Sequence, residues 1–165
     1  MQFLRTYWKK AVLFFIILIL LVISGYALKR SFSATGTDTE IEYIKKQVAD
    51  GDIIFRTLKA EYDSNGIIFI TDNGPVVFET AGKVVAIPLE NWIRGRFVVK
   101  RLQDYEVSLT PEVKEKMKKT AESLISEEKI SSPELITNIY KEGANIDIST
   151  KNILTSQEWY IVVDN

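Results

Sequence analysis

The sequence holds no cysteine and no histidine, so its candidates for chemistry reduce to serine, carboxylate and lysine side chains. Cys–His and Ser–His–Asp catalytic engines are excluded, and so are zinc sites built from cysteine and histidine. No disulfide can form, and no lipid can be attached through a thiol. A metal would need carboxylates alone, and the close sets are Asp50/Asp52 and Asp72/Asn73. Asp50-Gly51-Asp52 reads as a turn, because no D-x-D-x-D-G run follows it. Gly74, Gly82 and Gly95 are isolated turn glycines, so no phosphate-binding loop is present. Among the serines, Ser132 in Ser132-Pro133-Glu134 has Lys129 just before it. That is the composition of a Ser–Lys dyad, but the lysine lies in the acidic stretch SEEKIS (126–131). A local reading also accounts for the triplet: Ser132 as helix N-cap, Pro133 as first helical residue, Glu134 favoured by the helix dipole. No cofactor and no metal is expected.

The elements that would hold these residues follow from hydrophobic periodicity. Glu40 to Val48 carries Ile41, Ile44 and Val48 at helical spacing, and Ala49-Asp50-Gly51-Asp52 ends it. Ile53 to Thr57 is a short strand. Gly66 to Thr71 is a second strand whose continuous apolarity implies burial on both faces. Asp72-Asn73-Gly74 is a hairpin turn, and Pro75 to Thr80 its partner strand. Lys83 to Ile87 and Arg96 to Leu102 are further strands, with a helical turn at Leu89 to Ile93 between them. Thr110-Pro111-Glu112 opens a helix running to about Ser126. A second begins near Ser132 and reaches Tyr140, with Gly143 as its C-cap. Glu158 to Val163 is the last strand. The fold class is therefore α+β, with a mainly antiparallel sheet packed against helices. Trp92, Tyr105 and Trp159 are assigned to core or interface, and Lys114 to Lys119 to a solvated helix face rather than a lipid-headgroup patch.

The near-neutral net charge of -1 hides a division along the chain. Residues 1–30 carry Arg5, Lys9, Lys10, Lys29 and Arg30 and no acid, so all 22 acidic side chains lie beyond them. Between the basic clusters runs AVLFFIILILLVISGYAL, residues 11–28, whose apolar residues cover every helical face, and Ala11, Phe14, Phe15, Leu18, Leu21 and Leu28 are read as its anchor residues. At ~1.5 Å per residue this run spans about 27 Å, close to the roughly 30 Å hydrocarbon core. Tyr7, Trp8 and Tyr26 sit where interfacial aromatics belong. Gly25-Tyr26-Ala27 also fits a signal-peptidase site, but the run continues past it to Lys29-Arg30, a stop-transfer pattern. Residues 1–30 are read as a retained membrane anchor, 31–39 as a polar linker, and 40–165 as one domain. The basic residues before the run place the N-terminus in the cytoplasm and the domain outside. The overall charge gives no reason to expect a nucleic-acid partner.

The order of short motifs resembles the permuted papain-like hydrolases of the YiiX/YaeF type, in the NlpC-type clan of peptidoglycan and lipid amidases. The matching pieces are Gly51-Asp52-Ile53-Ile54-Phe55-Arg56, Gly66-Ile67-Ile68-Phe69, Val76-Val77-Phe78-Glu79-Thr80, Ile87-Pro88-Leu89, Trp92-Ile93-Arg94-Gly95 and Phe97-Val98-Val99-Lys100-Arg101-Leu102. Thr110-Pro111-Glu112 and Ser132-Pro133-Glu134-Leu135-Ile136 with Tyr140 follow in the same order. The resemblance spans residues 48–163.

The departures fall on the chemistry. In this family a cysteine attacks an acyl carbonyl, a histidine takes its proton and a polar group orients the imidazole. The resemblance places the cysteine position on Ser132, the histidine position on Ser64 or Asn65, and the third on Glu79. Neither Ser64 nor Asn65 can accept a proton near neutral pH. The resemblance thus implies a pseudoenzyme: a membrane-anchored binding or assembly module, an accessory subunit of a bacterial envelope complex. Its expected partners are the lipid bilayer, other proteins of that complex, and an acyl or peptide ligand held in a vestigial groove. The competing expectation is a serine-dependent amidase or esterase using Ser132 with Glu79. The expected location is the bacterial cytoplasmic membrane, single-pass, with the domain periplasmic or extracellular.

Overall fold

The computed structural model describes residues 38–57 and 62–164. The apolar run 11–28 and residues 31–37 of the linker lie outside the described residues. Among the described residues no helix is long and apolar enough to cross a membrane.

The domain opens with helix α1, Asp38–Gln47, which begins inside the stretch read as linker. Strand β1, Ile53–Thr57, follows as expected. Strands β2 (Tyr62–Thr71) and β3 (Gly74–Thr80) form the hairpin around Asp72-Asn73. Gly74 takes a φ of 103°, a left-handed conformation that glycine adopts without steric cost. Strand β4 is Val84–Pro88, the turn α2 is Leu89–Trp92, and β5 is Arg96–Leu102. A further turn, α3 at Tyr105–Ser108, precedes helix α4, Pro111–Ser123. Helix α5, Ser132–Asn138, runs into a π-helical segment at Ile139–Ala144. A last helical turn, α6 at Thr150–Ile153, leads into strand β6, Trp159–Asp164. The turns α3 and α6 carry too few residues to show a period in the sequence.

The strands form one six-stranded sheet in the order β4-β3-β2-β1-β5-β6, and each neighbouring pair is antiparallel. Successive side chains alternate between its faces. Ile53, Phe55, Ile67, Phe69, Phe78 and Val98 point to the face covered by α4 and α5, which contribute Met117, Ala121, Leu135 and Ile136. Ile54, Ile68, Val77, Phe97 and Val99 point to the other face, where α1 contributes Ile44 and Val48 and α2 contributes Leu89 and Trp92. The continuous run Ile67-Ile68-Phe69 is fully buried because both faces of β2 are covered. The segment after α4 pairs with the start of the outer edge of β4: Val84 N–H donates to Glu127 O at 2.9 Å and Ser126 N–H to Val84 O at 3.0 Å. Ser126 takes a φ of 77° to make that turn.

Two helix ends differ from expectation. Ser131, not Ser132, is the N-cap of α5. Its hydroxyl accepts from Glu134 N–H while the Glu134 carboxylate accepts from Ser131 N–H at 2.8 Å, a reciprocal capping box. Ser132 is thereby the first helical residue. At the other end Asn145, with a φ of 58°, makes the left-handed step expected of Gly143. Gly143 has a packing role instead. A β-carbon there would lie 2.6 Å from the Met117 Cα, so only glycine lets the π-helical segment approach α4 this closely.

Candidate functional site

The Gly51-Asp52 turn proves to be structural. Asp52 is fully buried. Its carboxylate accepts from Arg101 Nε and Nη2, each at 2.7 Å, and from Ala49 N–H at 2.8 Å. Burial pushes the Asp52 carboxyl above its ordinary value, against the pull of Arg101 and the Ala49 amide. The Arg101 guanidinium is held more firmly protonated by Asp52. Arg101 Nη2 also donates to Gln47 O at 2.7 Å, tying the end of α1 to β5. Tyr140 donates to Gly51 O at 2.6 Å and Tyr105 to Asp50 O at 3.0 Å. Burial raises the pKa of both phenols. These bonds pin four elements to the turn: α1, β5, α3 and the π-helical segment.

The lysine run of α4 is likewise engaged. Lys118 donates to Ile70 O at 3.0 Å, Lys119 pairs with Glu115 at 3.3 Å, and Lys114 sits 4.0 Å above the Tyr105 ring. Lys129 is exposed and lines a surface cleft with Glu127 and Glu134.

The four family positions divide between the two faces of the sheet. Arg56 stands opposite Ser64, and Phe55 opposite Asn65. Residues opposed in an antiparallel ladder share a face. Ser64 therefore lies with Arg56 on the α1/α2 face. There Ser64 Oγ donates to Glu79 Oε2 at 3.2 Å, and Arg56 Nη2 donates to Ser64 Oγ at 3.5 Å. Arg56 and Glu79 also form an ion pair at 4.0 Å, with 15% and 9% of their side-chain surfaces exposed. Arg56 is fixed in turn by Trp92: Nη1 donates to its carbonyl at 2.9 Å, and the guanidinium carbon lies 4.3 Å from the ring centroid.

Asn65 lies on the opposite face, with Phe55, where α5 packs. So does Ser132, the first residue of α5. Its Oγ accepts from the Thr80 backbone N–H at 3.1 Å. The pairing of β2 with β3 runs to Ile67 opposite Phe78, and carried two residues outward it sets Asn65 against Thr80. Ser132 thus supplies the acceptor for the Thr80 amide beyond the last paired residues of the two strands. Asn65 Oδ1 and Thr80 Oγ1 are buried there without a hydrogen-bond partner. The structure brings Ser64 to Glu79 and Ser132 to the Asn65–Thr80 end of the hairpin, and the sheet stands between the two sets. Glu79, sealed by Arg56 and Ser64, faces away from Ser132. Arg56 and Thr80 stand in the matching motifs, but the sequence assigned neither a role at the site. Only the strand register shows that Arg56 lies opposite Ser64.

No family model matches the sequence, and no curated protein matches it. Among solved structures, the metalloprotein YiiX from Escherichia coli O157:H7 (DUF1105) superposes with a TM-score of 0.62 at 18% identity, covering 72% of this chain and 98% of its own. The fold is YiiX-like. YiiX is described as a metalloprotein. In the present chain the donor set does not fit such a site: it holds no histidine and no cysteine, and among the described residues no three carboxylates gather closely enough to hold a metal ion.

Proposed function

We propose that this YiiX-like domain is a degenerate permuted papain-like module that binds without cutting, held at a bacterial envelope membrane by residues 11–28 as an accessory subunit of a larger complex. One observation carries the reading: the residue that shares a sheet face with Ser132 is Asn65, and Glu79 is on the other face. An asparagine amide takes no proton at neutral pH. A serine without an adjacent base is a poor nucleophile. Glu79 is engaged by Arg56 and Ser64 on the face away from Ser132. The Ser132 oxygen itself accepts a backbone amide. What persists is the scaffold on which a peptide or acyl group would rest, and in this reading a ligand or a partner rests there uncleaved.

The competing reading, a serine amidase or esterase using Ser132 with Glu79, needs these two side chains on one face. The test uses the full chain in mild detergent, assayed against acyl esters and muropeptides beside its Ser132→Ala variant. The two are expected to be equally inactive. Hydrolysis by the wild type that Ser132→Ala abolishes, with the fold unchanged by circular dichroism, would overturn the proposal. Isolation of the chain from its native membrane as a bare monomer would overturn the complex-subunit part.

A further inference from the structure

The two edges of the sheet are unlike. At the β4 edge the Ser126-Glu127 backbone pairs with Val84. The edge at β6 pairs inward with β5, and among the described residues no chain pairs with its outer side. Its sequence, WYIVVD, is rich in residues that favour strands, and Tyr160 and Ile161 are 40% and 53% exposed. Such an edge is a ready template for another strand. A bulge at Val162, which has no counterpart between Val99 and Lys100, interrupts it partway.

A cleft of about 490 Å³ opens where this strand begins, lined by Asp104, Asp147, Glu158 and Gln157 over Leu102 and Ile146. A second, of about 390 Å³, shares Asp147 and Glu158 with it and reaches Trp159, the first residue of β6. The three carboxylates are exposed, and none forms an ion pair among the described residues. Asp164 adds a further acid at the far end of the strand. Among the described residues, an apolar strand edge with unspent main-chain groups therefore starts beside an acidic trough.

We infer that β6 and this trough together receive an extended segment of a partner protein, apolar along its length and carrying lysine or arginine at the end that enters the trough. Main-chain hydrogen bonds to an open edge supply affinity without sequence preference. Charge decides the partner. A second copy of this chain would bring Glu158 and Asp164 against the same acids in antiparallel pairing, and like charges directly opposed destabilise a ladder. A basic flank removes that repulsion and finds three free carboxylates. The inference concerns a surface away from Ser132 and holds whether or not Ser132 is inert.

The test titrates the full chain in detergent micelles with two labelled probe peptides, KKVTVTV and EEVTVTV. The basic probe is expected to bind at least about tenfold more tightly, with the difference shrinking as salt screens the trough. Glu158→Lys combined with Asp104→Lys should reverse the preference, with the melting temperature of the variant confirming its fold. N-methylation of alternate valines in the basic probe, which removes main-chain donors without touching the protein, should abolish binding. Equal affinity for the two probes, binding that survives N-methylation, or no binding of the basic probe would each overturn the proposal. A concentration-dependent dimer dissolved by Ile161→Asp, with neither probe bound, would overturn it in favour of self-pairing.

Discussion

Adjacent residues of a strand face opposite sides of the sheet, so Ser64 and Asn65 are not interchangeable despite being neighbours. A base installed at residue 65 shares a face with residue 132, whereas one installed at residue 64 meets Arg56 and Glu79 instead. The consequence is measurable because the chain has no native thiol. With Ser132→Cys in place, adding Asn65→His should raise the alkylation rate of the new thiol at neutral pH by roughly tenfold, as expected for a thiolate stabilised by an imidazolium. Adding Ser64→His should leave the rate unchanged. Equal effects from the two histidines would mean that the face assignment is wrong. Motif order alone left the choice between 64 and 65 open, because a one-residue shift costs nothing in an alignment and flips a side chain through the sheet. The pairing partners Phe55 and Arg56 resolve it, and those are long-range facts.

At the scale of elements, the strands were the more legible part. Ile53–Thr57 and Arg96–Leu102 were bounded by their own glycine, aspartate and charge signals, and the Asp72-Asn73-Gly74 turn fixed the hairpin between them. The helix ends were less so. Ser131 and Ser132 both precede a Pro-Glu pair, and only the reciprocal bonds with Glu134 select Ser131 as the cap. Asn145 takes the left-handed step, and Gly143 sits where the segment passes closest to α4. The cap carries a pH dependence of definite sign. Hydrogen bonds from the Ser131 hydroxyl and amide hold the Glu134 carboxyl below its usual range. A depressed carboxyl contributes stability above its unfolded pKa and loses it as the pH falls through the folded value. Glu134→Gln should therefore melt below the wild type at neutral pH, and the gap should close in acid, below the ordinary glutamate range. A gap independent of pH would count against an ionic role for Glu134. Ser131→Ala should cost about 1 kcal/mol at neutral pH, the usual loss for a removed N-cap, read by urea unfolding.

At the scale of the whole molecule, the basic residues before position 11 and the apolar run that follows predict that the chain fractionates with membranes and carries its domain outside. Val107 is 82% exposed, so Val107→Cys provides a single reporter thiol in an otherwise thiol-free chain. A membrane-impermeant maleimide should label it in intact cells, after permeabilisation of the outer membrane where one is present. Labelling that requires lysis of the cytoplasmic membrane would reverse the orientation. The general architecture was readable from the sequence because apolar periodicity and turn residues act locally. The separation of Ser64 and Glu79 from Ser132 was not, because it depends on which side of a six-stranded sheet each residue meets.

The turn at Ser126-Glu127 that pairs with β4 has a bearing on stoichiometry. A sheet open at both edges can grow in both directions, and copies joined head to tail propagate into filaments. Here, at the β4 end, the chain's own backbone takes both main-chain groups of Val84. The strand addition inferred above is thereby directed to β6, where one domain would take one incoming segment.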